Sequence, residues 1–301
     1  RGGGQQGADA MTEPILDQLA EKIEIADAVL IGAGSGLSSA AGYDHYHWSP
    51  ALSKALAPFQ EYYRFSSPFA GFYHCFSSYG AQWAYYSQYI RFMWEAPVGQ
   101  PYLDLKKIVG SKPAFILTTN VDMQVSRSFS KDQVCTFQGD FGFCQCCQPC
   151  QDQIWENYSL VQRLTQALDG VNLPEEMVPR CPDCGRVLIP WVRDDTFLEG
   201  TAWQEGVARY RTFLRHWLME QTGKKLLLLE LGVGEMTPSI IKLPFWQLTA
   251  QNENVFYACL NQKDSHAPEH LKGKSLYLQG DLAETLSRLR QKLCKTGSVS
   301  R

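Results

Sequence analysis

The residues with the plainest chemistry in this chain are six cysteines between positions 144 and 184. They include two C-x2-C pairs, Cys147–Cys150 and Cys181–Cys184, which are separated by 30 residues. Thiolates three positions apart in a tight turn can bind one tetrahedral ion, and four thiolates complete the shell of a structural zinc site. Since further cysteines adjoin the first pair, the sequence predicts a zinc site but leaves its first ligand open.

A glycine-rich loop follows the apolar run at residues 28–31. Residues 32–39 read Gly-Ala-Gly-Ser-Gly-Leu-Ser-Ser. Glycines after a buried strand let the backbone approach a pyrophosphate, and the next helix offers N–H donors and the positive end of its dipole. The alternative is a plain strand-to-helix turn. A ribose-binding carboxylate about 20 residues further on is not evident, so an ordinary hydride-transfer dehydrogenase is not supported.

Polar residues also follow the apolar run at residues 114–117, in the motif Thr118-Thr119-Asn120-Val121-Asp122. Ligands of doubly wound sheets bind at the C-terminal ends of the strands. Asn120 and Asp122 would therefore direct polar groups into the binding crevice. The alternative is an Asx turn or a helix cap, which short polar residues often form after a strand.

Composition excludes several classes of protein. Hydrophobic residues make up 45% and charged residues 20% of 301 positions, which excludes a disordered or fibrous chain. The formal net charge is −3 without a basic stripe, which argues against a nucleic-acid partner. No apolar run is long enough to span a membrane. A chain of this length buries a core without disulfides, so clustered cysteines in an intracellular protein indicate a metal.

The elements that must position these groups follow from hydrophobic periodicity. Apolar runs at residues 28–31, 114–117, 226–231, 255–260 and 275–278 alternate with helical segments. This pattern predicts an α/β fold with a Rossmann-like parallel sheet covered by helices on both faces. The first helix is expected over residues 15–25, with Thr12 as its N-cap.

Two stretches interrupt this alternation. Residues 43–100 are rich in aromatic side chains, which we expect to form the core of a helical module at about 45–100. The cysteines lie in a predicted zinc-binding module, residues 143–194, with a helix near 158–168. The Rossmann-like domain then comprises residues 12–142 and 195–294. Residues 1–11 are expected to be a cloning remnant and disordered tail, and 295–301 a second tail. Localisation is predicted to be cytoplasmic, or mitochondrial in a eukaryote.

Taken in order, these motifs resemble those of the sirtuins. The resemblance covers residues 14–293 and includes Gly232-Val233-Gly234 and Leu260-Asn261 after later strands. It implies an enzyme that cleaves the nicotinamide–ribose bond of NAD, with Asn120 and Asp122 at the nicotinamide and ribose. The NAD-binding set it implies is Gly32, Ala33, Gly34, Ser38, Asp44, Thr119, Asn120, Asp122, Gln138, Gly232, Val233, Gly234, Asn261, Asp281 and Leu282. Of these, Gly232, Asn261 and Asp281 would lie along the adenosine half.

The chain departs from deacylase sirtuins at three places. Gln138 stands where deacylases carry a histidine base, and an amide cannot take up a proton near neutral pH. Residues 44–47, Asp-His-Tyr-His, replace an Asp-Phe-Arg sequence, and residues 191–197 replace the stretch that binds the acyl-lysine peptide. These differences argue against ordinary deacylation.

Gln138, Arg193 and Gly42-Tyr43 resemble the class M sirtuins of bacteria and fungi, which are linked to macrodomain proteins. That likeness implies a protein mono-ADP-ribosyltransferase acting on a lipoyl carrier similar to the glycine-cleavage H protein. A macrodomain ADP-ribosyl hydrolase would be its functional partner. The implied catalytic residues are Asn120, Asp122, Gln138 and Arg193, and the implied zinc ligands are Cys146, Cys150, Cys181 and Cys184.

Three alternatives stay open. Arg193, which could bind an acceptor carboxylate or a phosphate, could instead pair internally with Asp194 or Asp195. The enzyme could be a deacylase in which His45 or His47 replaces the missing base. The chain could also be a catalytically silent sensor of NAD or ADP-ribose that signals through the aromatic module.

Overall fold

The five apolar runs form five of the six strands of a parallel sheet in the computed structural model, which describes the backbone of residues 3–296 and the side chains of 12–295. The described strands are β1 (Ala28–Ala33), β2 (Ala114–Thr118), β3 (Val134–Thr136), β4 (Gly139–Cys146), β5 (Ile154–Glu156), β6 (Leu188–Val192), β7 (Leu226–Leu231), β8 (Val255–Asn261) and β9 (Ser275–Gln279). The main sheet has the order β3-β2-β1-β7-β8-β9, and all of its pairs are parallel. The predicted α/β class is confirmed.

Helices cover both faces of this sheet. They are α1 (Gly3–Ile25), α2 (Ser35–Ala40), α3 (Pro50–Ala55), α4 (Ala57–Tyr63), α5 (Tyr79–Glu95), α6 (Gln100–Val109), α7 (Gln124–Ser128), α8 (Tyr158–Gln166), α9 (Thr201–Arg215), α10 (Lys242–Gln251) and α11 (Leu282–Thr296). Apolar residues of α1, α6 and α11 pack on one face, and those of α9 and α10 pack on the other. Such two-sided burial explains why the strand β1 is apolar throughout and β7 is apolar except at Glu230, which pairs with Lys242 at 2.6 Å.

The first helix differs from its prediction. It begins at Gly3 rather than near residue 15, so Thr12 lies inside it and is not its cap. The part of the helix before Thr12 contains glutamine, alanine and methionine, which favour a helix, together with three glycines, which do not. The side chains of the predicted N-terminal tail, and residues 297–301 of the C-terminal one, lie outside the described residues.

The aromatic stretch and the cysteine stretch share one core. Trp83, Tyr85 and Tyr89 of α5 are fully buried, which confirms that these aromatic residues form a helical core. They pack in one cluster with Phe141 and Cys144 of the antiparallel sheet β5-β4-β6. This small sheet therefore rests on the helical module at one end of the main sheet. No helix in the described part of the chain is long and apolar enough to cross a membrane.

Candidate active site

The strand order reverses between β1 and β7, and three glycines let the loops after these strands pack closely. A Cβ on Gly34 would lie 2.6 Å from the carbonyl oxygen of Gly232, and one on Gly36 would lie 2.8 Å from the Gly232 Cα. Gly232 itself has a φ of +64°, in the left-handed region that favours glycine. The glycine at position 34 is thus required by loop packing, rather than only by the room that a pyrophosphate needs.

The loop after β2 is tied to the loop after β1 by hydrogen bonds. Thr118 Oγ1 donates to the carbonyl of Ala33 at 2.9 Å, and the amide of Thr119 donates to the same oxygen at 3.2 Å. Asn120 Nδ2 donates to the carbonyl of Gly34 at 2.8 Å. These bonds bring Asn120 to the glycine loop, as the sequence predicted for two polar segments at one sheet edge.

A buried hydrogen-bond network surrounds Asp122, whose residue is 4% exposed. Ser38 Oγ donates to Asp122 Oδ2 at 2.6 Å, and the hydroxyls of Ser38 and Tyr102 are also 2.6 Å apart. On the other side, His45 Nε2 lies 3.1 Å from Asp122 Oδ2, and His45 Nδ1 lies 2.6 Å from the Tyr89 hydroxyl. The network links α5 and α6 to the loops after β1 and β2.

The network keeps Asp122 ionised. Burial alone would raise the pKa of its carboxyl, but the hydrogen bond and charge of His45 and the hydroxyl of Ser38 outweigh it and lower that pKa. Burial raises the pKa of the Tyr89 and Tyr102 phenols well above the ordinary value, so both remain protonated donors. The site therefore holds an ionised carboxylate that is paired with His45 and surrounded by neutral hydroxyls. A small pocket of about 30 Å³ opens onto it between Tyr43, Phe69 and Asn120.

Gln138 and Arg193 form a second wall beside this edge. The amide of Phe137 donates to Thr118 O at 3.1 Å, and that of Phe141 donates to Val121 O at 3.0 Å, so the Gln138 segment runs alongside the β2 loop. Arg193 Nε donates to Gln138 Oε1 at 3.0 Å, and its backbone amide donates to Gln138 O at 2.9 Å. Arg193 thus holds Gln138 by both side chain and backbone.

The remaining contacts of Arg193 show which acidic residue it pairs with. Its guanidinium pairs with Glu199 at 2.6 Å and stacks over the ring of Phe197, 4.2 Å from the ring centroid. Neither Asp194 nor Asp195 pairs with it among the described residues. An internal ion pair does exist, but its acidic partner is Glu199. In this structure Arg193 is thus held between Gln138 and Glu199.

The predicted adenosine-binding residues are only partly together. Asn261 Nδ2 donates to Val233 O at 3.2 Å, beside the Gly36–Gly232 contact. Asp281 lies at the start of α11, where its Oδ1 accepts from the amide of Ala283. Gly234 lies in open space, since a Cβ there would touch nothing within 4 Å. Leu282 is 2% exposed and packs in the main core. Asp44 forms hydrogen bonds with Tyr46 and His47 in its own loop.

The cysteine cluster resolves the ambiguity of the first zinc ligand. The sulfur atoms of Cys146, Cys150, Cys181 and Cys184 all lie within 4.8 Å of one another, whereas Cys147 is outside this group. Four converging thiols at such separations fit a tetrahedral zinc ion with bonds of about 2.3 Å. Zinc there would be structural, because four thiolates leave no open position, and it would join the ends of β4 and β6. All ten cysteines are free thiols in the structure.

The sequence did not identify His45, Tyr89 and Tyr102 as neighbours of Asp122. The sequence indicates His45 only as a substitute base and places Tyr89 in the aromatic core, and it gives Tyr102 no role. The signal available was a histidine beside Tyr43, in the position where deacylases have Asp-Phe-Arg. Nothing local distinguishes a tyrosine that contacts this carboxylate network from one that only fills the core.

Comparison with known proteins follows this geometry. No family profile matches the chain. A protein ADP-ribosyltransferase of Staphylococcus aureus strain Mu50 is 30% identical over 269 residues, which cover 88% of this chain and 84% of that protein. A probable bifunctional ADP-ribose hydrolase/ADP-ribosyltransferase of Fusarium oxysporum f. sp. cubense is 29% identical over 242 residues, covering 77% of this chain and 40% of that protein.

Solved structures share the fold at lower identity. A Sir2 homologue in complex with NAD has a TM-score of 0.60 and 15% identity, covering 93% of this chain and 94% of the other. A Sir2 homologue in complex with ADP-ribose has a TM-score of 0.59 and 17% identity, covering 95% and 99%. The predicted sirtuin fold is confirmed.

Proposed function

The chain belongs to the family of protein ADP-ribosyltransferases, and we propose that it transfers ADP-ribose from NAD to a protein acceptor and releases nicotinamide. The observation that carries this proposal is that the segments after β2 and before β4 bring to one sheet edge an ionised, buried Asp122 and a Gln138 that Arg193 holds in place. Together they offer charge and orientation at the sheet edge but no free base. We propose that NAD lies along this edge, from Gly34 to Asn261.

The site suits the first half of the reaction. As the nicotinamide–ribose bond breaks, its electron pair leaves with nicotinamide and positive charge develops at the ribose. An ionised carboxylate in a buried site stabilises such charge. Asn120 donates to Gly34 O and, at 3.3 Å, to the Tyr102 hydroxyl, while no described residue donates to its Oδ1. That oxygen can accept a hydrogen bond from a ribose hydroxyl or an ordered water.

Gln138 suits the second half, in which an acceptor atom bonds to the ribose carbon and releases its proton to solvent. Because its Oε1 accepts from Arg193, the Nε2 amide group is left as a donor toward substrate. A donor of this kind can position a ribose oxygen but cannot remove a proton. Positioning alone can contribute much of the rate for an electron-poor carbon.

We propose that the acceptor is a lipoyl carrier. A groove of about 140 Å³ lies between Phe72, Tyr86 and Pro190, and it shares Phe69 and Val121 with the pocket at Asp122. Its aromatic wall suits a flexible apolar arm that reaches the ribose. The name of the Fusarium relative joins an ADP-ribose hydrolase to an ADP-ribosyltransferase, which supports a macrodomain hydrolase as functional partner and the class M assignment.

The test is intact-mass spectrometry of a lipoylated glycine-cleavage H-like carrier incubated with this protein and NAD. We expect the carrier to gain the mass of one ADP-ribosyl group, with less transfer to the unlipoylated carrier. Asn120→Ala should lose transfer, whereas Asn254→Ala, an exposed asparagine at the opposite sheet edge, should keep it. Modification of both carrier forms at equal rates would exclude dependence on lipoylation.

The same incubation separates the two other candidate functions. An acyl-lysine peptide that loses its acyl group while the carrier stays unmodified would indicate a deacylase. The structure offers His45 little freedom as a substitute base, because both of its ring nitrogens have partners in Asp122 and Tyr89. Stable NAD binding without any nicotinamide release would indicate a sensor.

A further inference from the structure

A second cavity lies behind the Gln138–Arg193 pair. It measures about 430 Å³, within the range of small-molecule sites, and it opens between α7, the small sheet and α9. Its lining includes Phe143, Ile154 and Trp191, which belong to none of the three hydrophobic core clusters. Phe143 and Ile154 are only half-buried, so a ligand in the cavity could cover them, whereas Trp191 is already buried and would form the floor of the site.

The charges around the cavity are predominantly basic. Arg127, Lys131 and Arg209 line it, against the single acidic residue Asp140. None of the three cations forms an ion pair with another described residue. Arg209 Nη2 donates to Val134 O at 3.1 Å and Arg127 Nη1 donates to Met93 O at 3.1 Å, but each guanidinium keeps further N–H groups without a partner among the described residues. Both carboxyl oxygens of Asp140 already accept bonds, from Ser126 Oγ and the Gly142 amide. The unsatisfied donors therefore favour an anionic group over a cationic one.

We propose that this cavity binds a small apolar carboxylate, with its chain against Trp191, Phe143 and Ile154 and its carboxylate at Arg209 and Lys131. Arginine and lysine both recognise carboxylates, and Arg209 and Lys131 both line the cavity without an acidic partner among the described residues. An aliphatic acid of medium length matches the volume and the apolar wall. Such a ligand would occupy a site separate from the NAD edge.

The position of the cavity gives its ligand a route to the proposed active site. Trp191 on β6 pairs in register with Asp140 on β4, one residue before the Gly139–Val192 pair. The Trp191 ring also stacks on the Phe197 ring, with centroids 5.3 Å apart. The guanidinium of Arg193 lies over the same Phe197 ring. A ligand that shifts Trp191 would thus move the support of Arg193, and through it Gln138. We infer that the bound acid regulates the transferase.

The first experiment measures binding, and it does not depend on activity. Octanoate, 1-octanol and octylamine are titrated into the full chain by calorimetry. Octanoate should bind once per chain and at least about tenfold more tightly than the other two, because charge-assisted hydrogen bonds are the stronger kind. Ala202→Trp, at the exposed rim, should abolish binding by filling the cavity, and Lys131→Gln should weaken it. Equal binding of the three compounds would overturn the proposal.

A control excludes the other apolar groove of the molecule. Tyr73 lines the proposed acceptor groove and is 84% exposed, so Tyr73→Ala should fold normally. Octanoate affinity should be unchanged in this variant. If Tyr73→Ala loses octanoate while Ala202→Trp retains it, the acid binds in the acceptor groove and the cavity is not its site.

The second experiment tests the route to the active site. Amide hydrogen exchange is measured at Arg193, whose N–H bonds to Gln138 O, with and without saturating octanoate. We expect its exchange rate to change in the wild type and not in Ala202→Trp. NAD turnover, where present, should change in parallel. Binding with unaltered exchange at Arg193 would overturn the regulatory role, and this outcome is independent of whether the carrier is the acceptor.

Discussion

The two walls of the candidate active site are built in different ways. On the sheet side, Asn120 and Asp122 follow a strand buried on both faces and bond to residues of neighbouring loops. On the other side, Gln138 and Arg193 flank the paired ends of β4 and β6, whose far ends approach the cysteine cluster. The first wall is thus supported by the main core, whereas the second depends on a small sheet and, we propose, on its metal. Variants that affect only one wall should therefore change NAD binding and ADP-ribosyl transfer to different extents.

Loss of the metal should have the largest effect. Cys181→Ser removes one of four converging thiols, and the free energy of zinc binding then no longer stabilises the small sheet. We expect loss of zinc, a lower Tm and loss of ADP-ribosyl transfer, while NAD affinity at the sheet edge is largely retained. Zinc content by mass spectrometry, calorimetric NAD binding and carrier modification measure the three effects.

Cys147→Ser is the matched control for that variant. It changes a neighbouring cysteine that the structure places outside the cluster, so zinc content and transfer should stay near wild type. Zinc loss in Cys147→Ser would show that Cys147 is a ligand, and zinc retention in Cys181→Ser would exclude Cys181 as one. Loss of NAD affinity together with zinc would show that the two walls share one support.

The same contrast explains what could be predicted from the sequence. Strands such as β7, which has six buried residues, are visible in the sequence as predominantly apolar runs. In a parallel sheet the C-terminal ends of such strands lie at the same edge, where ligands bind. The main sheet and the position of Asn120 follow from this. The strand β3 has only three residues and was not predicted, because so short a run carries no periodicity.

The second wall depends on contacts between distant residues. The partner of Arg193 is Gln138, 55 positions away, while the adjacent Asp194 and Asp195 only suggested an ion pair. Similarly, Cys147 satisfied the C-x2-C spacing, yet Cys146 is the residue that joins the cluster. Local spacing cannot reveal which cysteine a β-strand directs to a distant turn, so the first ligand stayed open until the family resemblance was applied.

On the sheet wall, Asn120→Ala should reduce transfer by about a hundredfold, because misplacing the reacting groups by about 1 Å has an effect of that order. The substitution removes the Asn120–Gly34 bond and the free Oδ1 at the same time. NAD affinity should fall much less, since the glycine packing between β1 and β7 remains. Single-turnover transfer at saturating NAD measures the effect, and a change in KM alone would contradict it.

On the other wall, Arg193→Lys should reduce transfer by on the order of tenfold, the equivalent of one lost hydrogen bond at about 1.4 kcal/mol. Lysine keeps the charge but cannot bind Gln138 and Glu199 with one planar fork. If Arg193 acts through Gln138, the two effects are not additive, and Arg193→Lys should cost little in a Gln138→Ala background. Additive losses would mean that Arg193 contacts the substrate directly. Gln251→Ala, an exposed glutamine on α10, serves as the control for Gln138→Ala.

The smallest effect on transfer, but a clear one on stability, is expected at Asp140, two residues beyond Gln138. Burial raises the pKa of its carboxyl to about 6, and the charge of Asp122 raises it slightly further. The hydrogen bonds from the Gly142 amide and Ser126 act in the opposite direction and lower it. The unfolded chain ionises this group near its ordinary value, so the native state binds more protons between these two values. Stability from this group is therefore complete at low pH and is lost as the pH rises through about 6.

Asp140→Asn removes that titration. The free energy of unfolding of the wild type should fall relative to Asp140→Asn by about 2 kcal/mol between pH 4 and pH 7, out of about 3 kcal/mol for the full shift from 3.8 to about 6 at 1.36 kcal/mol per pKa unit. Urea unfolding of both proteins across this range measures the difference, in which acid effects common to both, such as protonation of the cysteines, cancel. The exposed Asp132→Asn is the control and should show no such trend. Parallel curves for Asp140→Asn and the wild type would mean that the pKa of Asp140 is not raised in the folded protein. Its two hydrogen bonds would then be sufficient to stabilise the buried charge.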